Sequence, residues 1–403
     1  MCARFARDES RRGTDRAAAG DSPPPRARRG GARDGRACRR AAACGRARGD
    51  DGGRRARSAR GARRFRGRSD GRVPGGHGRR RRGNERAAFP AVRPGFRRGF
   101  ASRVPGVAHL CGHDLHTAIG VGVARALAQG SEPIRGRLVF VFQPAEEPLQ
   151  GARAMLETGL VQRLAPREFY ALHCSPFPCG TIGVSPGYGL PGLDHIRIVL
   201  PDGDDAAVAA LTAEMAQLGN VGFPQSIAEY NARFRALLEP ALAASIQESV
   251  CVAQWTEQAP DGQPIVNVLL RVWPQERHAE LRAQVKRLAA AAGGTVEFPG
   301  DPFPAMVNSA ELSTAAGRFL SAELGPESVV WARASWPFNC EDFALFLNEA
   351  PGAQFYLGVA DAQTGMNGAP HTPDFAADER AIGHGVRAMS SLLIDRLAAG
   401  KNP

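Results

Sequence analysis

Leu110 is the first leucine of a 403-residue chain, and Ile119 is its first isoleucine. Residues 1–100 also lack Trp and Tyr, contain only two Val (Val73 and Val92), and hold 31 of the 52 basic residues, all Arg, against nine acids. A segment so poor in large apolar side chains cannot offset the ordering of its own backbone by burying surface. Whatever core this chain builds must therefore come from the residues after about 106. The formal charge of +12 also comes from that first stretch, because the remaining 303 residues carry 21 bases and 31 acids. The body of the protein is mildly acidic and long enough for about two domains.

Two readings fit residues 1–105. Runs such as Arg79, Arg80, Arg81 and Arg82 suit a disordered cationic tail that binds nucleic acid through phosphates. Against this, the stretch has no Lys and only five scattered Phe, so the stacking platforms of single-strand binders are missing. A GC-rich coding sequence read out of frame gives the same Arg, Ala, Gly and Pro bias, and the bias stops abruptly near Val107. The frame-shift reading is preferred. Residues 1–30 contain no apolar h-region of a secretory leader, and the densest apolar run, 138–142, is far short of a membrane span. Eight irregularly spaced Cys do not form a disulfide framework. The expectation is a cytoplasmic protein with reduced thiols and no membrane partner.

From residue 107 the pattern alternates short apolar strands with helical stretches, as in an α/β domain. Helix is expected over 114–129, 150–159, 309–323, 341–348 and 379–399, with strands over 137–142, 169–173, 181–184, 329–331 and 354–359. Between 193 and 302 the character changes. A strand over 195–200 precedes Ala- and Leu-rich helical sequence over 205–249, paired strands at 252–255 and 265–273, a helix over 275–292 and a strand over 295–298. The expected organisation is 1–105 low complexity, 106–192 first part of a catalytic domain, 193–302 an inserted domain, and 303–403 the second part.

Chemistry concentrates in four places. Cys111, Gly112, His113, Asp114 and His116 bring together a thiol, two imidazoles and a carboxylate just before a helix. Cys111 and His113, two apart in extended backbone, point to one side and can converge on one metal ion, with Asp114 placed to orient His113. A helix start capped by Asp114 beside a buried free Cys explains the same residues. Glu146 and Glu147 follow the apolar run 139–142, at the carboxyl end of a strand, where α/β active sites sit. One carboxylate can ligate while its neighbour moves a proton, although two acids also suit an exposed helix start. His173 ends a further strand, and His371 lies in a loop near the C-terminus. Either His alone is more often structural, but four such features in one chain are harder to dismiss.

These segments resemble the metal-dependent amidohydrolases that include hippurate hydrolase, bacterial N-acyl-amino-acid amidohydrolases and plant hydrolases of indole-acetyl amino acids. The matching blocks are HLCGHDLHTA (109–118), VFVFQPAEEPLQGARAMLETGL (139–160), ALHCSPFPCGTIGVSPG (171–187), CEDFALFLNEAPGAQFYLGV (340–359) and HTPDFAADERAIGHGV (371–386). The resemblance implies an α/β, zinc-exopeptidase-like catalytic domain, a central mixed sheet flanked by helices, carrying a smaller inserted α+β lid that also serves dimerisation. It implies two divalent metal ions held by Cys111, as a bridging thiolate, and by His113, Glu147, His173 and His371, with Glu146 as general base and acid. Such a soft and hard donor set suits Zn, Mn, Co or Ni.

Two departures from the family pattern stand out. The family's opening hundred residues carry an Ala-Asp-Met-Asp-Ala-Leu-Pro strand segment that residues 1–106 lack, which would leave an open sheet edge. Its lid carries a Gly-Gly-His-Ala segment, where this chain has an acidic turn over 200–207. His195 and His278, the imidazoles of 193–302, are expected at the surface. Glu341 and Asp342 fall in a block that the family places at the substrate pocket, and a helix first turn explains them equally. The reading reached is a two-metal hydrolase that opens the amide of a small N-acyl amino acid through a metal-bound hydroxide. The rival readings are a catalytically impaired relative with a truncated catalytic domain, and a nucleic-acid-binding protein driven by the Arg-rich segment.

Overall fold

The computed structural model describes residues 2–8, 107–130, 134, 136–372 and 374–399. The Arg79–Arg82 run and the rest of the Arg-rich stretch beyond Asp8 lie outside the described residues. Along the chain come β1 (Cys2–Asp8), α1 (His113–Gln129), β2 (Arg137–Gln143), α2 (Gly151–Glu157), α3 (Leu160–Leu164), β3 (Pro166–Pro178), β4 (Ile182–Val184), β5 (Gly189–Leu190) and β6 (Gly192–Val199). There follow α4 (Asp205–Ala216), α5 (Ile227–Ala236), α6 (Pro240–Ala244), β7 (Ser249–Gln258), β8 (Pro264–Trp273), α7 (His278–Ala291), β9 (Thr295–Glu297) and β10 (Met306–Val307). The chain closes with α8 (Ala310–Leu324), β11 (Val329–Trp331), α9 (Phe343–Leu347), β12 (Gly352–Ala360) and α10 (Arg380–Ala399).

A six-stranded mixed sheet in the order β11-β4-β12-β3-β1-β2 forms the centre of the α/β fold. Its middle strand, β3, is buried on both sides, so its side chains serve two cores by simple alternation. Tyr170 and Leu172 face Ile119 and Val123 of α1, Leu320 of α8 and Met389 of α10. Phe169 and Ala171 face the other way, toward Phe343 and Phe346 of α9. The spacing Leu115, Ile119, Val123 and Leu127 gives α1 its buried stripe.

The first residues of the chain depart from expectation. Cys2–Asp8 lies between β2 and β3, antiparallel to both, pairing Phe5 with Phe140 on one side and with Tyr170 on the other. β2 and β3 do not pair with each other, so each would present unpaired amides and carbonyls without this strand. Seven residues suffice for that ladder, because its bonds are made by backbone amides and carbonyls and need no Leu or Ile.

A second sheet, β7-β8-β6-β9, is antiparallel throughout. It has its own core of Ile196, Ile198, Val266, Val268 and Leu270 against Leu211 and Met215 of α4 and Leu281 and Val285 of α7. The helical sequence expected over 205–249 is broken into three helices, and Ser226 caps the second by accepting from Glu229 N. That helix, α5, does not join the second sheet's core, since Phe234 packs with Trp336, Phe338 and Phe343 beside the central sheet. The helix expected over 150–159 is met by α2, and Gly159 at φ 67 separates it from α3. Among the described residues, no helix is long and apolar enough to cross a membrane.

Candidate metal centre

The turn into α1 sets the first two donors. Gly112 has φ +75, and a Cβ there would lie 2.5 Å from Cys174 Sγ, so glycine is required for both conformation and space. Cys111, nearly buried, puts its Sγ 3.3 Å from His173 Nε2 and 3.0 Å from His371 Nε2. His173 projects from β3, and its Nδ1 donates to the Cys174 carbonyl at 2.8 Å, which leaves the Nε2 lone pair aimed at Cys111. His371 comes from a loop in which its backbone adopts φ 63 and its N–H donates to the Leu110 carbonyl, tying the loop to the segment before α1.

The two carboxylates leave β2 through a strained turn. Ala145 (φ 52) and Leu149 (φ 56) both sit in the left-handed region, and Leu149 N and Gly151 N donate to the Glu146 and Ala145 carbonyls. Within that turn the neighbours diverge. Glu146 is 8% exposed, with Oε2 3.5 Å from His113 Nε2, whereas the Glu147 side chain is 53% exposed and reaches His113 Nε2 at 3.7 Å and His371 Nε2 at 3.4 Å. The hydrogen bond from His371 holds Glu147 down at about 2 despite partial burial. Burial, with His173 alongside, pushes His113 down to about 4. The carboxylate is thus ionised and the imidazole neutral near pH 7, the forms that ligate a divalent ion.

The five donors named from sequence converge. Cys111, His113 and His173 form one group of ligand atoms within 4.8 Å of one another, and Cys111, Glu147 and His371 form another. Cys111 belongs to both. His113 Nε2 is buried with no hydrogen-bond partner, an orphaned acceptor that a metal ion would satisfy. Two three-donor groups sharing the Cys111 sulfur therefore fit a pair of divalent ions, while Glu146 lies against His113 and Glu147 and also near Glu341 and Asp342.

Other expectations are corrected. Asp114 Oδ1 has no hydrogen-bond partner among the described residues, and the carboxylate lies near Cys174, whose thiol burial pushes up with Asp114 adding to the effect. His278 is buried, not on the surface, because it opens α7 against Gly192 and Asp194, and His195 is half-buried against Trp255 and Asn267. The acidic turn over 200–207 is a helix cap, Asp204 Oδ1 accepting from Ala207 N. Asp342 accepts from Gln143 Nε2 and Ala152 N, and Glu341, also buried, lines the cavity.

That cavity, of about 50 Å³, lies beside Cys111, Glu146, His173 and His371. Its far wall is aromatic: Tyr230 and Phe234 from α5, Trp336, and Tyr356 from β12. The ring of Trp336 lies 4.9 Å from Tyr230 and 5.0 Å from Phe234. Sequence reading missed this wall, although the i, i+4 pair Tyr230 and Phe234 was visible in a stretch otherwise read only as helix. It missed Arg271 too. This β8 guanidinium covers the Phe223 ring at 5.2 Å, with Nε and Nη1 buried and unpartnered, and it opposes the upward push of burial on the Cys340 thiol.

The family model for peptidase family M20/M25/M40 matches residues 90–395. The chain belongs to that family. Membership makes it a metal-dependent amidohydrolase. The chain is 31% identical over 291 residues to the N-acetylcysteine deacetylase of Bacillus subtilis, covering 70% of this chain and 72% of that one. It is also 31% identical over 295 residues to an N-acetyldiaminopimelate deacetylase of Bacillus pumilus, covering 70% and 74%. Its fold is similar to that of the Bacillus subtilis YXEP protein, described as a dinuclear metal binding peptidase of the M20 family, with TM-score 0.55 at 24% identity over 74% of this chain and 76% of that one. The α/β class read from the sequence is therefore the family's own.

Proposed function

We propose that the chain hydrolyses the amide of a small N-acyl amino acid at a centre of two divalent ions held by Cys111, His113, Glu147, His173 and His371. The observation that carries the reading is the sharing of Cys111 Sγ between the two donor groups. Divalent ions held by these residues would supply Lewis-acid polarisation of the amide carbonyl and a lowered pKa for the attacking water. Glu146, buried beside His113 and within the cavity wall, takes the proton from that water and passes it to the leaving amine. His173 keeps its tautomer through the Cys174 carbonyl, and Glu147 balances cationic charge from the mouth of the site. The named relatives act on N-acetylated amino acids, which supports the same substrate class.

In this reading, residues 193–302 act as a lid and as the surface of a homodimer, with 106–192 and 303–403 as the two parts of the catalytic domain. Five free thiols among the described residues support a reducing, cytoplasmic setting. The decisive experiment separates adjacent carboxylates. Glu146→Gln should leave metal content near wild type and lower turnover of an N-acyl amino acid by about 10²–10⁴-fold, the range for a lost general base. Glu147→Gln should instead lose metal. A Glu146→Gln protein with normal turnover, or with metal lost as in Glu147→Gln, overturns the assignment.

A further inference from the structure

Asn339 stands between the aromatic wall and the metal centre. Trp336 Nε1, a group that can only donate, lies 3.2 Å from Asn339 Oδ1, and Asn339 Nδ2 lies 3.2 Å from His371 Nδ1. The indole therefore decides which end of the amide faces which neighbour, with oxygen toward Trp336 and the NH₂ group toward His371. This arrangement is satisfied when His371 carries its proton on Nε2, which faces Cys111 Sγ at 3.0 Å and Glu147 Oε2 at 3.4 Å.

An imidazole that ligates through Nε2 keeps its proton on Nδ1. At His371 that proton would point at the Asn339 NH₂, donor against donor. Turning the amide moves the conflict to Trp336, because one carboxamide offers one oxygen and has a donor on either side. His173 has no such conflict, since its Nδ1 already donates to a carbonyl.

We propose that Asn339 is a positioning residue that couples the His371 tautomer to the Trp336 indole, so that loading a metal on His371 turns the amide and releases the indole N–H into the cavity wall. The coupling rests on His371 being a ligand. Asp at position 339 would remove the conflict, since a carboxylate accepts from both sides. Phe at position 336 would remove it differently, by freeing the amide to turn its oxygen toward His371.

The test is titration of the full chain with Zn²⁺ alone, read by competition with a chromogenic chelator and by tryptophan emission. Asn339→Asp and Trp336→Phe should each tighten Zn²⁺ about three- to tenfold, the size of one net hydrogen bond. Trp336→Phe should add nothing in the Asn339→Asp background. A carboxylate acting only through its charge would leave the two effects multiplying, which overturns the coupling, as would single variants that bind no tighter than wild type. If Trp336→Phe fails to fold, Asn339→Asp alone decides. It should suppress the Zn²⁺-induced change in tryptophan emission, and an emission response equal to that of wild type overturns the proposal. His371→Ala, measured alongside, tests the ligand reading separately. Zn²⁺ binding unchanged in that variant would remove the reading, and the coupling with it, whatever Asn339→Asp does.

Discussion

Along β6 every second residue is buried, with Asp194, Ile196 and Ile198 facing α4 and α7, and its neighbour β8 is buried without a break from Ile265 to Val268. Around Cys111, by contrast, the donors arrive from a turn before α1, a turn after β2, the middle of β3 and a loop before α10, and no periodicity joins them. Of the four non-glycine residues with positive φ among the described residues, Ala145, Leu149 and His371 border the metal centre and none lies in the second sheet. Regular burial stabilises one region. In the other, strain is tolerated so that donors can meet, as expected where function overrides local preference.

The sharpest way to break this contrast is to remove one donor. Cys111→Ser and His371→Ala should each lose most bound metal while the second sheet keeps its melting behaviour, and Cys174→Ser and Cys179→Ser should retain metal because neither shares a thiol with both donor groups. Metal analysis of the purified variants checks this. Equal loss in all four would mean that thiols in general hold the metal.

The reverse change should act the other way. Leu270 is fully buried in the second sheet's core, and Leu270→Ala removes contacts with no cavity-lining role, at a cost of about 2–5 kcal/mol. Chemical denaturation should show that loss while metal per chain stays unchanged. Metal lost in proportion to stability would show that the two regions fold as one unit.

The same contrast explains what the sequence made legible. The strands and helices of the second sheet follow periodicity, so 195–200, 265–273 and 275–292 were placed within a few residues of β6, β8 and α7. The donors were legible only as motifs, because Cys111, Glu147, His173 and His371 are brought together by topology that no local pattern encodes. β1 was missed for a related reason: Cys2–Asp8 has no apolar signature, and what makes it a strand is the pair of neighbours it joins. His278 looked like a surface residue because a helix start is usually exposed, yet it turns inward under Gly192. Asn339 and Trp336 carried no motif at all.

A smaller change tests the helix cap at the start of α4. Asp204 closes the first turn of α4 through a single bond to Ala207 N at 2.8 Å, so Asp204→Ala should cost about 0.5–2 kcal/mol. Because that cap faces solvent, metal content and turnover should both hold. Turnover that falls while metal is retained would mean the turn serves the substrate as well as the helix.

The smallest expected effect concerns pH and His278. Both its ring nitrogens are buried without hydrogen-bond partners, and Nδ1 lies 3.9 Å from Asp194 Oδ2. Asp194 is already engaged by Arg282, which donates to its two oxygens at 2.7 and 2.8 Å, so it gives an imidazolium little. Burial holds the His278 pKa below its ordinary value, with Asp194 opposing and Arg282 reinforcing. The unfolded chain takes up a proton there below about pH 6.5 while the folded chain resists it, so the stability belonging to neutral His278 is present above that pH and is lost as pH falls toward the folded value. His278→Leu keeps an apolar group of similar size and removes the titration. Between pH 7 and pH 5 its melting temperature should fall less than that of wild type, with the difference confined to that window. An equal fall in both proteins would mean that protonated His278 is accommodated by Asp194 after all, and that the second sheet has a polar switch where its regular burial suggests none.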